Sequence, residues 1–401
     1  MGRIVGGILV LLLGPSGIAA PGERLSKQEA TAEGQYKALL QQYDDAFQEY
    51  ARAFREAKLP EDRQKVIQET YPRPDNWAMK FLELAEKNPR EPFAEEALIW
   101  IVTSEARLKR FLPWHEHTSR YEMIWIMQTR AGLAGDKQEQ EVRSQAVDML
   151  LRDHVTSPKM GNVAQNLSRN QQSAKLLRDI IDRNPSREIK AEACLALVRE
   201  IQSDLGLARQ LKDKPELARS FEPFYGKDYV ERMQKADLAR LESEGEKLYA
   251  ELTGKYILHM KPARLVELCR ELRYSSDSEK LLRFLYDKDQ RDEVRGVACL
   301  ILAQVLEGRS LSLAATDAEA AEKVHKESET LLEEAAGKYA DVQMPLEGRI
   351  GKKAEGVLND MRHLSIGKAA PEIEGVDQDG KQFALSDYKG NVVLLDFWSE
   401  F

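Results

Sequence analysis

The chain has 401 residues, of which 42% are hydrophobic and 31% charged, with a net charge of −8. This is ordinary globular composition, long enough for two or three domains. The mildly acidic balance, spread along the chain, argues against nucleic-acid partners and against binding to anionic membranes.

At the N-terminus Arg3 gives a short positive region. Ile4 to Leu13 is apolar except for Gly6 and Gly7, and Pro15, Gly17 and the small pair Ala19-Ala20 follow. That order is the pattern of a secretory signal peptide, predicted over residues 1–20. A buried N-terminal helix is the competing reading. The apolar run is too short to span a bilayer, and no nearby cysteine suggests a lipid anchor. The expectation is export to the periplasm or cell envelope, with no membrane span after cleavage.

Cys194, Cys269 and Cys299 each fall in a helical pattern among apolar residues. Without a CxxC pair or metal-ligand spacing they read as core residues. No catalytic, cofactor-binding or metal site is expected in the described sequence.

Residues 33–360 read as helix after helix. Tyr36, Leu40, Tyr43, Phe47, Tyr50 and Phe54 step by fours and threes, which places them on one helix face. Pro60 restarts the chain, and Pro72 and Pro74 mark the next break.

A helix–turn–helix unit then recurs. Lys80-Phe81-Leu82, Lys87-Asn88-Pro89 and Phe93, Ala97, Ile101 form one copy. Lys175-Leu176-Leu177, Arg183-Asn184-Pro185 and Ile189, Ala193, Leu197 form the second. Lys280-Leu281-Leu282, Lys288-Asp289-Gln290 and Val294, Ala298, Leu302 form the third. Val142, Ala146 and Leu150 repeat only the second-helix half. In each second helix a small Ala stands between large apolar residues, so a neighbouring helix can approach closely. Asn-Pro supplies the turn, because Pro suits the first helical position. The last two copies lie 105 residues apart, and His154 and His259 share that offset. A duplicated unit in a helical-repeat array is predicted. Thr316-Asp317-Ala318-Glu319 has a capping-box pattern opening a later helix with Val324, Leu331 and Ala335.

Such arrays bind protein partners or act as spacers. His115 and His117 are two residues apart, so on a helix they cannot share a metal. They read as surface residues, and His154 and His259 as capping or packing residues.

Beyond Ser365 the texture changes. Ile373 to Val376 is short and extended, Asp377-Gln378-Asp379-Gly380 is a hairpin turn, and Lys381 to Leu385 is its return strand. Ser386 to Gly390 is a short helical turn. Val392-Val393-Leu394-Leu395-Asp396-Phe397-Trp398 then reads as a buried central strand.

Gly367 to Pro371, Asp379-Gly380, Leu385 to Tyr388, Gly390 and Val392 to Trp398 together resemble the opening of the redoxin branch of the thioredoxin superfamily. That branch holds exported bacterial thiol–disulfide oxidoreductases and, more distantly, peroxiredoxins (alkyl hydroperoxide reductase/thiol-specific antioxidant proteins). The resemblance covers residues 365–401. The helical body is similar, in pattern, to N-terminal domains fused to such redoxins. The fold class implied is mainly α: a helical-repeat array followed by the N-terminal piece of an α/β thioredoxin-like domain.

The resemblance puts the redoxin nucleophile one residue past Phe401, so the chain as given is expected to be inactive. A selenocysteine codon read as a stop would place the break there, as would a frameshift or a nonsense mutation. The resemblance also marks Asp396 as a buried acid assisting proton transfer, the alternative being a place at the wet end of the sheet. Expected partners are protein thiols or disulfides, or a peroxide, with a protein partner on the helical body. The alternative function is a non-enzymatic helical scaffold of the cell envelope.

Overall fold

The computed structural model describes residues 31–73, 75–111, 137–167, 173–273, 278–364, 368–377 and 379–396. It is mainly α, with two small two-stranded sheets among the described residues. The chain divides into two compact units at Ile257 and Leu258. The predicted signal peptide and the pair His115 and His117 lie outside the described residues.

The first unit opens with α1 (Ala32–Glu56), whose first turn is capped by Thr31: its Oγ1 accepts from Gly34 N at 3.0 Å. The predicted apolar face is buried through Tyr36, Tyr43, Phe47 and Tyr50. Tyr43 stands edge-on to Trp77 and Trp100, with ring centroids 5.3 and 4.9 Å away. Then follow α2 (Pro60–Thr70), with Pro60 in its first turn, α3 (Asp75–Lys87) and α4 (Pro92–Phe111). Helix α5 (Lys137–Met149) runs into a π-helical turn, Leu150–His154. Next come α6 (Met160–Asn166), α7 (Ser173–Arg183) and the long α8 (Arg187–Asp213). Two short helices, α9 (Ala218–Tyr225) and α10 (Lys227–Gln234), precede α11 (Leu238–Glu251).

The second unit contains α12 (Pro262–Leu272), α13 (Ser278–Lys288), α14 (Asp292–Leu313) and α15 (Ala318–Gly337). A hairpin of β1 (Gln343–Met344) and β2 (Gly348–Arg349) leads into α16 (Ile350–Asn359). By length and composition α14 could cross a membrane, yet every residue from Val297 to Ala303 is fully buried against its own unit. It is the core helix of that unit. Gly296 lets Tyr339 pack on it, since a Cβ there would lie 2.9 Å from Tyr339 Cβ.

The predicted repeat positions are core positions. Ala97, Ala193 and Ala298 are all fully buried, as are Ile101, Leu197 and Leu302. The two later copies also agree in their packing. Helix α8 is packed by α6, α7 and α11, and α14 by α12, α13 and α15. Cys194 and Cys299 are equivalent, and the thiol of each donates to a carbonyl of the flanking helix: Leu248 at 3.4 Å and Leu331 at 3.2 Å. Thiol and acceptor stand 54 positions apart in the first copy and 32 in the second, a difference of 22. Helices α9 and α10 account for that excess. They form a satellite core around Leu207, Leu211, Val230 and Met233.

One helix start differs from expectation. The cap of α15 is Asp317, not Thr316: Asp317 Oδ1 accepts from Ala320 N at 3.0 Å. Thr316 instead turns its hydroxyl back to the Leu313 carbonyl, a local bond that competes with capping.

Candidate functional site

The segment after residue 367 forms a hairpin of β3 (Glu374–Val376) and β4 (Gln382–Ala384), antiparallel, with Gly375 opposite Phe383. Asp377 builds the turn. Its Oδ1 accepts from Asp379 N at 3.0 Å and Lys381 N at 2.9 Å, and Gly380 takes a φ of 79°. A carboxylate gathering backbone N–H groups and a Gly in the left-handed region explain why Asp-x-Asp-Gly turns the chain here.

A 3-10 turn, Leu385–Tyr388, follows at once and ends at Gly390, φ 90°. Glu372 ties the two ends of the segment together, accepting from Ser386 N at 2.9 Å and Ile373 N at 3.2 Å. Hydrogen bonds from the side chain and backbone of Ser386 hold its carboxyl below the usual carboxylate range.

Residues 392–396 correct the expectation of a buried strand. Val392 and Leu394 are exposed almost completely, Val393 and Leu395 to nearly half. Asp396 is exposed as well. No described strand pairs with the run, and the face carrying Val392 and Leu394 is uncovered. Phe397 to Phe401 lie outside the described residues.

The three cysteines are free and buried. Burial pushes each thiol up to about 12, helped at Cys194 by Glu251, at Cys269 by Asp289 and at Cys299 by Glu334. A thiol held protonated in this way is a poor nucleophile. His154 is half-buried at the end of its π-helical turn, with its carbonyl accepting from Ser157 N at 2.8 Å, and His259 is exposed. Among the described residues no group of three His, Cys, Asp or Glu side chains could hold a metal.

The most perturbed carboxylate was not legible in the sequence. Glu347, on the β1–β2 hairpin, meets three cations: Arg270 Nε at 2.9 Å, Arg273 at 3.2 Å and Lys353 Nζ at 2.7 Å. Burial opposes its ionisation. The hydrogen bonds from Lys353 and Arg270 and the charge of Arg273 together outweigh that and bring its carboxyl down to about 2. Its partners lie 77 and 74 residues back and 6 ahead, so no local pattern announces the cluster.

No protein-family model matches this chain, and neither a curated protein nor a solved structure matches it significantly.

Proposed function

We propose that this chain joins a partner-binding helical-repeat body to the opening of a thioredoxin-like redoxin domain, and that it serves thiol–disulfide exchange or peroxide reduction outside the cytoplasm. One observation carries the reading. Strand, Asp-Gly turn, return strand, 3-10 turn and Gly390 follow one another in the order that the redoxin resemblance implies.

The nucleophile of this reading is not Cys194, Cys269 or Cys299, whose thiols are buried and held protonated. The natural protein, isolated from its source with and without Cys194→Ser, Cys269→Ser and Cys299→Ser, tests this. Turnover of insulin disulfides or of a peroxide, retained when these three cysteines are changed, is the expected result. No turnover above background removes the reading.

A second reading, a non-enzymatic helical scaffold of the cell envelope, is favoured by the exposure of Val392 to Leu395. In that case the segment after residue 365 contributes nothing catalytic.

A further inference from the structure

The β1–β2 hairpin carries a residue that its own fold does not use. Pro345 and Leu346 form the centre of a turn closed by Glu347 N donating to the Met344 carbonyl at 3.1 Å. Leu346 has a φ of 66°, the only positive value at a non-glycine position among the described residues. A Pro followed by a residue with positive φ is the arrangement of a type II turn, where Gly or Asn is favoured at that second place. Leucine there is strained by its Cβ. The side chain is also 100% exposed, so it contributes no packing in return.

The tip is nonetheless held firmly. Glu347, the next residue, is clamped by Arg270 of α12, Arg273 just past the end of that helix, and Lys353 of α16. Arg349, on the return strand, pairs with Asp341. Around the tip four cations meet two carboxylates, which leaves a positive surround on an otherwise acidic chain.

We propose that Leu346 is a preformed anchor that inserts into an apolar pocket rimmed by carboxylates on a partner protein. Strain kept at an exposed position points outward, to a function rather than to the fold. An apolar side chain within a charged rim has the layout of an apolar interface centre with a polar margin, and a clamped turn loses little freedom on docking. The positive surround selects an acidic rim. A bilayer is disfavoured, because one leucine is a weak membrane anchor. This inference is independent of the redox reading, since the hairpin belongs to the helical part of the second unit.

The test uses the full chain and its Leu346→Gly variant, which keeps the turn conformation. A library of small folded binding domains with randomised concave surfaces is selected against the wild-type chain, and each recovered domain is titrated against both proteins. The expected binders line an apolar pocket with Asp or Glu, bind more weakly at high salt, and lose at least about tenfold in affinity on L346G. Recovery of no such binder, or equal binding by L346G, overturns the proposal. So does cosedimentation of the wild type but not L346G with phosphatidylglycerol vesicles, which would assign the tip to a membrane.

Discussion

Asn184 and Asp289 occupy the same place in two copies of one helical unit, and they hold the same buried turn with different donors. Each is almost fully buried and accepts on Oδ1 from the backbone N–H two residues on, Ser186 at 3.0 Å and Arg291 at 2.9 Å. Asn184 then donates its amide to the Val155 carbonyl at 2.9 Å. A carboxylate cannot donate, and in the other copy Arg291 reaches past Asp289 to the Met260 carbonyl, also at 2.9 Å. Both acceptors lie 29 residues before the turn residue (184 − 155 and 289 − 260).

Removing Arg291 therefore leaves a buried carboxylate and an orphaned carbonyl. Arg291→Ala is expected to destabilise the protein by about 3 kcal/mol. Adding Asp289→Asn should recover part of that loss, because the new amide can donate as Asn184 does. Urea unfolding of the wild type, the single variants and the double variant checks this. A double variant no more stable than R291A contradicts the equivalence.

The cysteines give a chemical and a pH signature. A thiol-specific reagent at pH 8 should leave the native chain unlabelled and react with three thiols in denaturant. Each thiol is raised from 9.0 to about 12 in the folded state. Their contribution to stability is thus complete below pH ~9 and lost as pH rises toward 12. The urea midpoint should fall across that window, and less steeply in a Cys→Ala variant. For the same reason none of these three thiols should take part in reducing insulin disulfides or peroxide, so Cys194→Ser, Cys269→Ser and Cys299→Ser should leave any such turnover unchanged.

Glu347 works in the opposite direction. Its carboxyl is lowered from 4.5 to about 2, so its stabilisation is present above pH 4.5 and lost as pH falls toward 2. Discounted for solvent screening, the effect is about 1–2 kcal/mol. Comparison of unfolding at pH 6 and pH 3 should show a smaller drop for Glu347→Gln than for the wild type. Equal drops would mean that the three cations do not act through this carboxylate.

Leu346→Gly should stabilise the chain by about 0.5–1 kcal/mol, since release of the strain exceeds the added freedom of the unfolded glycine. Thermal unfolding reads this directly. A loss of stability would show that leucine suits the turn after all.

Much of the helical body was legible because its signals are local. A large–Ala–large spacing identifies a helix face that another helix must cover, and Ala97, Ala193 and Ala298 are all buried. The hairpin at Asp377 to Gly380 was legible for the same reason, since a carboxylate and a glycine suffice to turn the chain there. Features that depend on distant partners escaped. Helices α9 and α10 interrupt the period, Arg291 substitutes for a donor that the third turn lacks, and Glu347 draws its cations from two helices. The run at Val392 was misread because apolar texture records what a segment would bury, not whether neighbours exist to bury it. As for Asp396, an acid within such a run looks costly only if the run is covered, and here it is not.

Helices α9 and α10 have a practical consequence. They show that one copy of the unit accepts 24 residues, against 4 in the other, between its central helix and the helix that receives the cysteine thiol, with that thiol contact kept. The corresponding joint of the other copy is the short turn between Leu313 and Ala318, where Ala314 to Asp317 are exposed. An epitope tag or a small fluorescent guest placed there would follow a precedent written in the same chain, leaving α14 and α15 in contact while reporting where the protein travels.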